Sequence, residues 1–137
     1  MIQLAYVSST YILLSAEDIA SILVVSREKN RRLGITGMLL YKGGNVLQIL
    51  EGEKDKVVEL FDVIRKDKRH GGVIELYQKK VTERDFPEWT MGFYDLNAEG
   101  ARFLEGFVDF LDPNYDMHAI KPSAAAKLLK AFKSVVR

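Results

Sequence analysis

No cysteine occurs in the 137 residues, so disulfides, thiolate metal sites and cysteine nucleophiles are excluded. Histidine is nearly as scarce: His70 and His118 are the only two, too few for a His-rich metal centre. Charge of one sign is missing as well. Twenty basic residues stand against 19 acidic ones, a formal charge of +1, which gives no electrostatic argument for nucleic acid or an anionic membrane. No window approaches the roughly 18 uninterrupted apolar residues of a spanning helix. The opening MIQLAYVSS lacks the basic flank and long apolar run of a signal peptide. There is no repeat, no low-complexity segment, and only the surroundings of Pro122 read as linker-like. GxGxxG, Walker, GxSxG and HExxH patterns are all absent, and GITG and KGG are too short to cradle phosphate. What remains is the expectation of a cytoplasmic protein without an ordinary catalytic constellation.

What is present is a 47% hydrophobic chain of one-domain size, large enough for a single core. Residues 2–8 alternate, Ile2, Leu4 and Tyr6 against Gln3, Ala5 and Val7, and read as a strand. Ser15 with Asp18 imitates a capping box ahead of a helix carrying Ile19, Ile22 and Ser26, and Gly34 is placed to stop it. ITGMLLYKGGNVLQILEG reads as two strands turned at Gly43-Gly44. Val57, Leu60, Phe61 and Ile64 then fall at helical spacing, with Glu53 complementing the helix dipole at its start. GVIELYQKKV and WTMGFYDL are a fourth and a fifth strand. The order predicts an α+β fold: a ferredoxin-like βαββαβ sheet with an added fifth strand and two helices on one face. Beyond Asn97, two short amphipathic helices are expected, one bearing Phe103, Leu104, Phe107, Phe110 and Leu111, the other Leu128, Leu129, Phe132, Val135 and Val136. This extension, residues 98–137, is expected to pack on the sheet or on a partner, with Lys127, Lys130 and Lys133 on a solvated face.

Polar groups set among apolar ones are the unusual feature. Gln48 interrupts the apolar run of NVLQILEG, and burying a primary amide without partners costs roughly 2–7 kcal/mol. Tyr6 is likewise mid-strand. Ile22, Ser26 and Asn30 succeed each other on one helix stripe, and DKRH supplies Asp67, Arg69 and His70 just after Ile64. If the two helices cover these strands, the groups converge on a slot walled by Ile22 and Ile64. Amides and a guanidinium at its end suit a planar heteroaromatic ligand with imide-like edges. Each residue also has a plainer use: Asn30 as a helix C-terminal residue, Arg69 and His70 as caps on the second helix.

Together the segments LAYVSST, SREKNRRLGITGMLLY, NVLQILEGE, IRKDKRH and FPEWTMGF resemble, in this order and spacing, the BLUF domain, a blue-light sensor using flavin. The resemblance covers residues 1–97 and implies a flavin, usually FAD with FMN or riboflavin as variants, held without a covalent bond between the two helices. It implies that Tyr6 stands beside the ring and that Gln48 lies between Tyr6 and flavin. By the same likeness Asn30 holds the C4 carbonyl and N3 edge, Ile22 and Ile64 sandwich the ring, and Asp67, Arg69 and His70 face the other carbonyl and the ribityl side. Ser26 borders the ring and, with Trp89 and Met91, belongs to the signal relay. Many relatives carry a second amide or a histidine directly before the asparagine, a ring-contact position filled here by Lys29.

Light-driven electron and proton transfer from Tyr6, with Gln48 rotating or tautomerising, is the chemistry that likeness implies, and a red-shifted flavin its signature. The 40 residues after Asn97 are too few for a cyclase or phosphodiesterase. A bacterial, non-enzymatic photoreceptor is therefore expected, acting on a partner protein or through self-association, as a homo-oligomer that binds neither nucleic acid nor membrane. Two other readings use the same scaffold: a flavin-free interaction module, and a small flavoenzyme.

Overall fold

The computed structural model describes residues 1–87, the backbone of Gly92–Asp95, and Lys127 and Ala131. Trp89, Met91 and the expected terminal helices lie outside the described residues, save that Lys127 and Ala131 are helical.

Elements run in the order β1 (Ile2–Thr10), α1 (Ala16–Leu33), β2 (Thr36–Lys42), β3 (Asn45–Gly52), α2 (Lys54–Arg65), β4 (His70–Lys80) and β5 (Gly92–Asp95). The sheet order is β4-β1-β3-β2-β5, the first four strands antiparallel and β5 parallel to β2. This is the ferredoxin-like arrangement with its added fifth strand.

Local chemistry explains the boundaries. The Ser15 hydroxyl accepts from the Asp18 N–H at 3.1 Å while the Asp18 carboxylate accepts from the Ser15 N–H at 3.0 Å, a complete capping box. At the other end of α1, Gly34 adopts φ 69°, a left-handed cap that a side chain would disfavour. Gly43 and Gly44, at φ 54° and 90°, make the two-residue turn that sets the β2–β3 register.

Two strands depart from the expected limits. β1 runs two residues further, to Thr10, and β4 begins at His70 rather than Gly72, because Thr10 and His70 pair across β1 and β4. A Gly71-Gly72 pair has no alternation to read, and register shifts between Ala5 and Tyr6 and between Val7 and Ser9 blur the pattern further.

Both helices pack on one face. Ile19 and Leu23 of α1 and Val57, Leu60 and Phe61 of α2 share a buried cluster with Ile2, Leu4, Tyr6, Tyr41, Val46 and Leu50 of the sheet. Each such side chain contributes about 1.5–3 kcal/mol on full burial. Strand alternation sends Ala5, Met38, Leu40, Leu47 and Ile49 to the opposite face, where they too are buried. β1 and β3 are therefore central strands, apolar on both sides, and their polar residues stand out on each.

Candidate functional site

The register places Tyr6 directly opposite Gln48 on the helix-covered face. Both are buried, and the Tyr6 hydroxyl donates to Gln48 Oε1. Tyr6 is held from the side by Phe61, ring centroids 5.2 Å apart, and stands edge-on to His70 at 6.4 Å. Burial pushes its phenol well above the ordinary tyrosine value, and the Asp67 charge adds to the shift. The hydroxyl keeps its proton and the amide oxygen receives it as a hydrogen bond.

These two side chains form the floor of an open slot of about 130 Å³ between α1 and α2. Ile22, Leu39, Val46 and Ile64 supply apolar wall, and Ser26, Asp67, Arg69 and His70 supply polar rim. Eight of the ten cofactor-binding residues expected from the sequence line it: Tyr6, Ile22, Ser26, Gln48, Ile64, Asp67, Arg69 and His70. Asn30, buried in the last turns of α1, and half-buried Lys29 are not in the lining. The backbone carbonyl of Asn30 accepts from the Ile35 N–H at 2.9 Å, the helix-ending role that its position also predicted. A second groove of about 370 Å³, bordered by Tyr11, Ile12, Asp18 and Lys68, shares Leu14, Ile22 and Arg69 with the slot and continues it outward.

The rim is built by hydrogen bonds within the turn after α2. Asp67 accepts from the Arg69 backbone N–H at 2.9 Å and from its guanidinium at 2.5–3.1 Å. That bonding holds the Asp67 carboxyl down at about 2 and pushes the Arg69 guanidinium up. His70 lines the slot and also takes the capping place its position suggested. Its Nε2 lies 2.6 Å from the carbonyl of Ile64, which can only accept, so Nε2 carries a proton and caps the last turn of α2. In the neutral ring, Nδ1 then accepts from the Ser8 hydroxyl at 2.7 Å. The ring thereby ties α2 to β1 beside Tyr6. Among the described residues, no cluster of acidic or imidazole groups could hold a metal ion.

Four wall residues were not singled out in the sequence: Thr10, Leu14, Leu39 and Val46. The hairpin held a signal for two of them. A two-residue turn at Gly43-Gly44 makes Leu39 the cross-strand neighbour of Gln48 and puts Val46 on the same face. Leu14 lies in the β1–α1 connection, tied down because its N–H donates to the Tyr41 hydroxyl at 2.9 Å, a contact no pattern announces.

Fold and slot together define a ferredoxin-like domain with a recess of mixed apolar and polar lining between its helices. The chain belongs to the BLUF family: the family model described as "Sensors of blue-light using FAD" matches residues 1–92. The domain is a blue-light sensor module that uses flavin. It is similar to the photoactivated adenylate cyclase subunit beta of Euglena longa, 39% identical over 89 residues, which are 64% of this chain and 10% of that protein. The subunit alpha of Euglena gracilis is 40% identical over 84 residues, 61% of this chain and 8% of that one. This chain thus spans about a tenth of the length of these curated relatives. Among solved structures, the dark state of BlrB, a BLUF protein, has a TM-score of 0.70 and 31% identity, covering 98% of this chain and 96% of that one. Klebsiella pneumoniae BlrP1 with FMN and cyclic diGMP reaches a TM-score of 0.76 at 28% identity, covering 98% of this chain and 34% of that one.

The slot's own chemistry fits a flavin. Branched aliphatic side chains, Ile22 and Ile64, stand on both helices, and amide, hydroxyl and guanidinium groups line the same recess, a mix that suits a planar heteroaromatic ring.

Proposed function

We propose that this chain is a blue-light photoreceptor in which FAD binds without a covalent bond, Tyr6 is the electron and proton donor, and Gln48 is the switch. The observation that carries the reading is the Tyr6 hydroxyl donating to Gln48 Oε1 in the floor of the slot. Bound flavin supplies light absorption and, once excited, a strong one-electron oxidant. The chain's residues do the rest. Burial keeps the Tyr6 phenol neutral, so it loses an electron readily only if its proton leaves as well. The acceptor already in contact is Gln48 Oε1. With that oxygen protonated, release of one Nε2 proton toward the slot would leave the imidic tautomer, or the amide would rotate, and either change would exchange the donor and acceptor ends it turns to the slot.

Ile22 and Ile64 would clasp the ring, with Ser26, Lys29, Asn30, Asp67, Arg69 and His70 as its polar neighbours. Lys68 and Arg69 on the outer groove, which Asp18 also borders, would suit a phosphorylated flavin, FAD or FMN, over riboflavin, because a phosphate beyond the ring would meet those cations. Ser26, Trp89 and Met91 are the proposed relay, and residues 98–137 the proposed surface for a partner or a second copy. We assign no catalysis to this chain itself, and the cyclase activity in the names of its relatives is not carried over. A cytoplasmic location belongs to the same proposal; among the described residues, no helix is long and apolar enough to cross a membrane.

The test is an absorption spectrum of the purified protein before and after blue light. Flavin bands that shift to the red and return in the dark are expected. Colourless protein that takes up no added FAD, FMN or riboflavin would mean a flavin-free module. Steady oxidation of a nicotinamide in darkness would mean a flavoenzyme. Light-scattering mass in dark and light, on the full chain, then tests self-association against a separate partner.

A further inference from the structure

The face of the sheet turned away from the slot holds a buried polar cluster that the photochemistry leaves unused. Gln3 and Glu51 are both 0% exposed and lie directly opposite each other across β1 and β3. Gln3 Nε2 donates to Glu51 Oε2 at 3.0 Å and to Asp85 Oδ2 at 2.8 Å, and its Oε1 accepts from the Tyr77 hydroxyl at 2.6 Å. The Glu51 carboxylate also accepts the backbone N–H groups of Asp85 and Phe86, each at 2.7 Å. One position earlier, the Arg84 guanidinium donates to Thr36 Oγ1 at 2.9 Å and to the carbonyls of Glu51 at 3.1 Å and Gly34 at 2.7 Å. Phe86 is pressed into the core as a further anchor.

Three successive residues, 84–86, are therefore fastened to the end of β3 and the start of β2. A fully buried carboxylate is expensive, and three N–H donors on this one offset that cost. What the expense holds in place is residues 84–86, within the connection from β4 to β5. β5 is also in line with the photochemical pair: Tyr6 lies opposite Gln48, Gln48 opposite Leu39, and Leu39 beside Phe93 of β5, one row across four strands. If the connection between Phe86 and Gly92 slid freely, a movement started at Gln48 would be absorbed there.

We propose that Glu51 and Arg84 are positioning residues for the light response, holding the β4–β5 connection against the sheet so that a change at Gln48 is delivered to β5. This inference rests on the photoreceptor reading above. It is separable from it because Trp89, three residues beyond Phe86, is the only tryptophan in the chain. The flavin red shift reports on Tyr6 and Gln48, whereas Trp89 emission reports on the segment beyond the anchor.

The experiment follows both signals in the full chain with FAD bound, under blue light and during dark recovery. In the parent protein both change and recover at the same rate. In Glu51→Gln, which sets an amide NH2 against backbone N–H donors, and in Arg84→Ala, which removes three guanidinium hydrogen bonds, the red shift persists and the Trp89 response falls at least about tenfold, the population change expected from losing even one charge-assisted hydrogen bond. Arg84 is half-buried and outside the core, so Arg84→Ala decides the matter alone if Glu51→Gln fails to fold. An unchanged Trp89 response in Arg84→Ala overturns the inference. So does loss of the red shift in that variant with flavin still bound, since the tether would then act on the slot. A parent protein with a red shift but no Trp89 response overturns it too, whereas a parent with no red shift overturns the photoreceptor reading instead.

Discussion

The two faces of this sheet carry the same pair of residue types in different surroundings. On one face the Tyr6 hydroxyl donates to Gln48 Oε1; on the other the Tyr77 hydroxyl donates to Gln3 Oε1. Burial pushes both phenols upward, Tyr77 with added repulsion from Asp85 and Glu51. The far ends of the two amides differ. Gln3 Nε2 is held by two carboxylates, so turning this amide would break three hydrogen bonds and aim a carbonyl at negative charge. Gln48 instead lies in the floor of the slot. An amide can act as a switch only if whatever answers its far end is changed by the stimulus. Two carboxylate partners make Gln3 an anchor, whereas on the proposed reading the slot beside Gln48 would take up a chromophore and make that amide the switch.

The largest effects are expected where the switching pair is cut. Tyr6→Phe and Gln48→Leu each leave flavin bound and abolish the light-induced red shift, read as a difference spectrum before and after blue light. A normal photocycle in Gln48→Leu would end the amide-switch account and with it the distinction between the two faces.

The anchoring pair should fail differently. Gln3→Leu removes three hydrogen bonds, one buried and two part-buried, two of them to carboxylates, and is expected to cost about 3 kcal/mol in a urea melt while leaving the red shift in place. Tyr77→Phe removes one of the three and should cost about 1 kcal/mol, again with the shift retained. A red shift lost in Gln3→Leu, with flavin still bound, would show that the two pairs act as one unit.

Much of this arrangement was legible in the chain, for identifiable reasons. The capping box at Ser15, Gly34 and the Gly43-Gly44 turn are local signals with local causes, and they set α1 and the hairpin where they were expected. Gln48 was legible because an amide in an apolar run is a cost that demands a partner. Glu51 carries the same kind of cost three residues later, but it sits beside Gly52 and Glu53 at the strand's end, where an acidic residue passes for solvated surface. Its partners, Gln3 and the backbone N–H groups of Asp85 and Phe86, are distant in sequence and meet it only through tertiary packing. The start of β4 was obscured by its glycine pair and bulged register, which also hid that His70 opens a strand while capping a helix.

The smallest expected effects are in the pH dependence, where one carboxylate on each face is shifted in opposite senses. The Arg69 hydrogen bond pulls Asp67 from its ordinary 3.8 down to about 2, so its contribution to stability is complete above 3.8 and is lost as pH falls to about 2. Burial pushes Glu51 above its ordinary 4.5 despite its N–H partners. The folded chain therefore takes up that proton before the unfolded one, and stability falls as pH rises from 4.5 through the folded value. Asp67→Asn should accordingly flatten the acid limb between pH 3.8 and 2 and leave the limb above 4.5 as it was. Because Asp67 is only half-buried and Arg69 is exposed, the difference in urea melts should be about 1 kcal/mol or less. If Asp67→Asn left the acid limb unaltered, the pairing with Arg69 would not be holding the rim of the slot in solution. If the mutation moved the upper limb as well, the carboxylates on the two faces would be titrating together, and the sheet would not insulate its anchor from its switch.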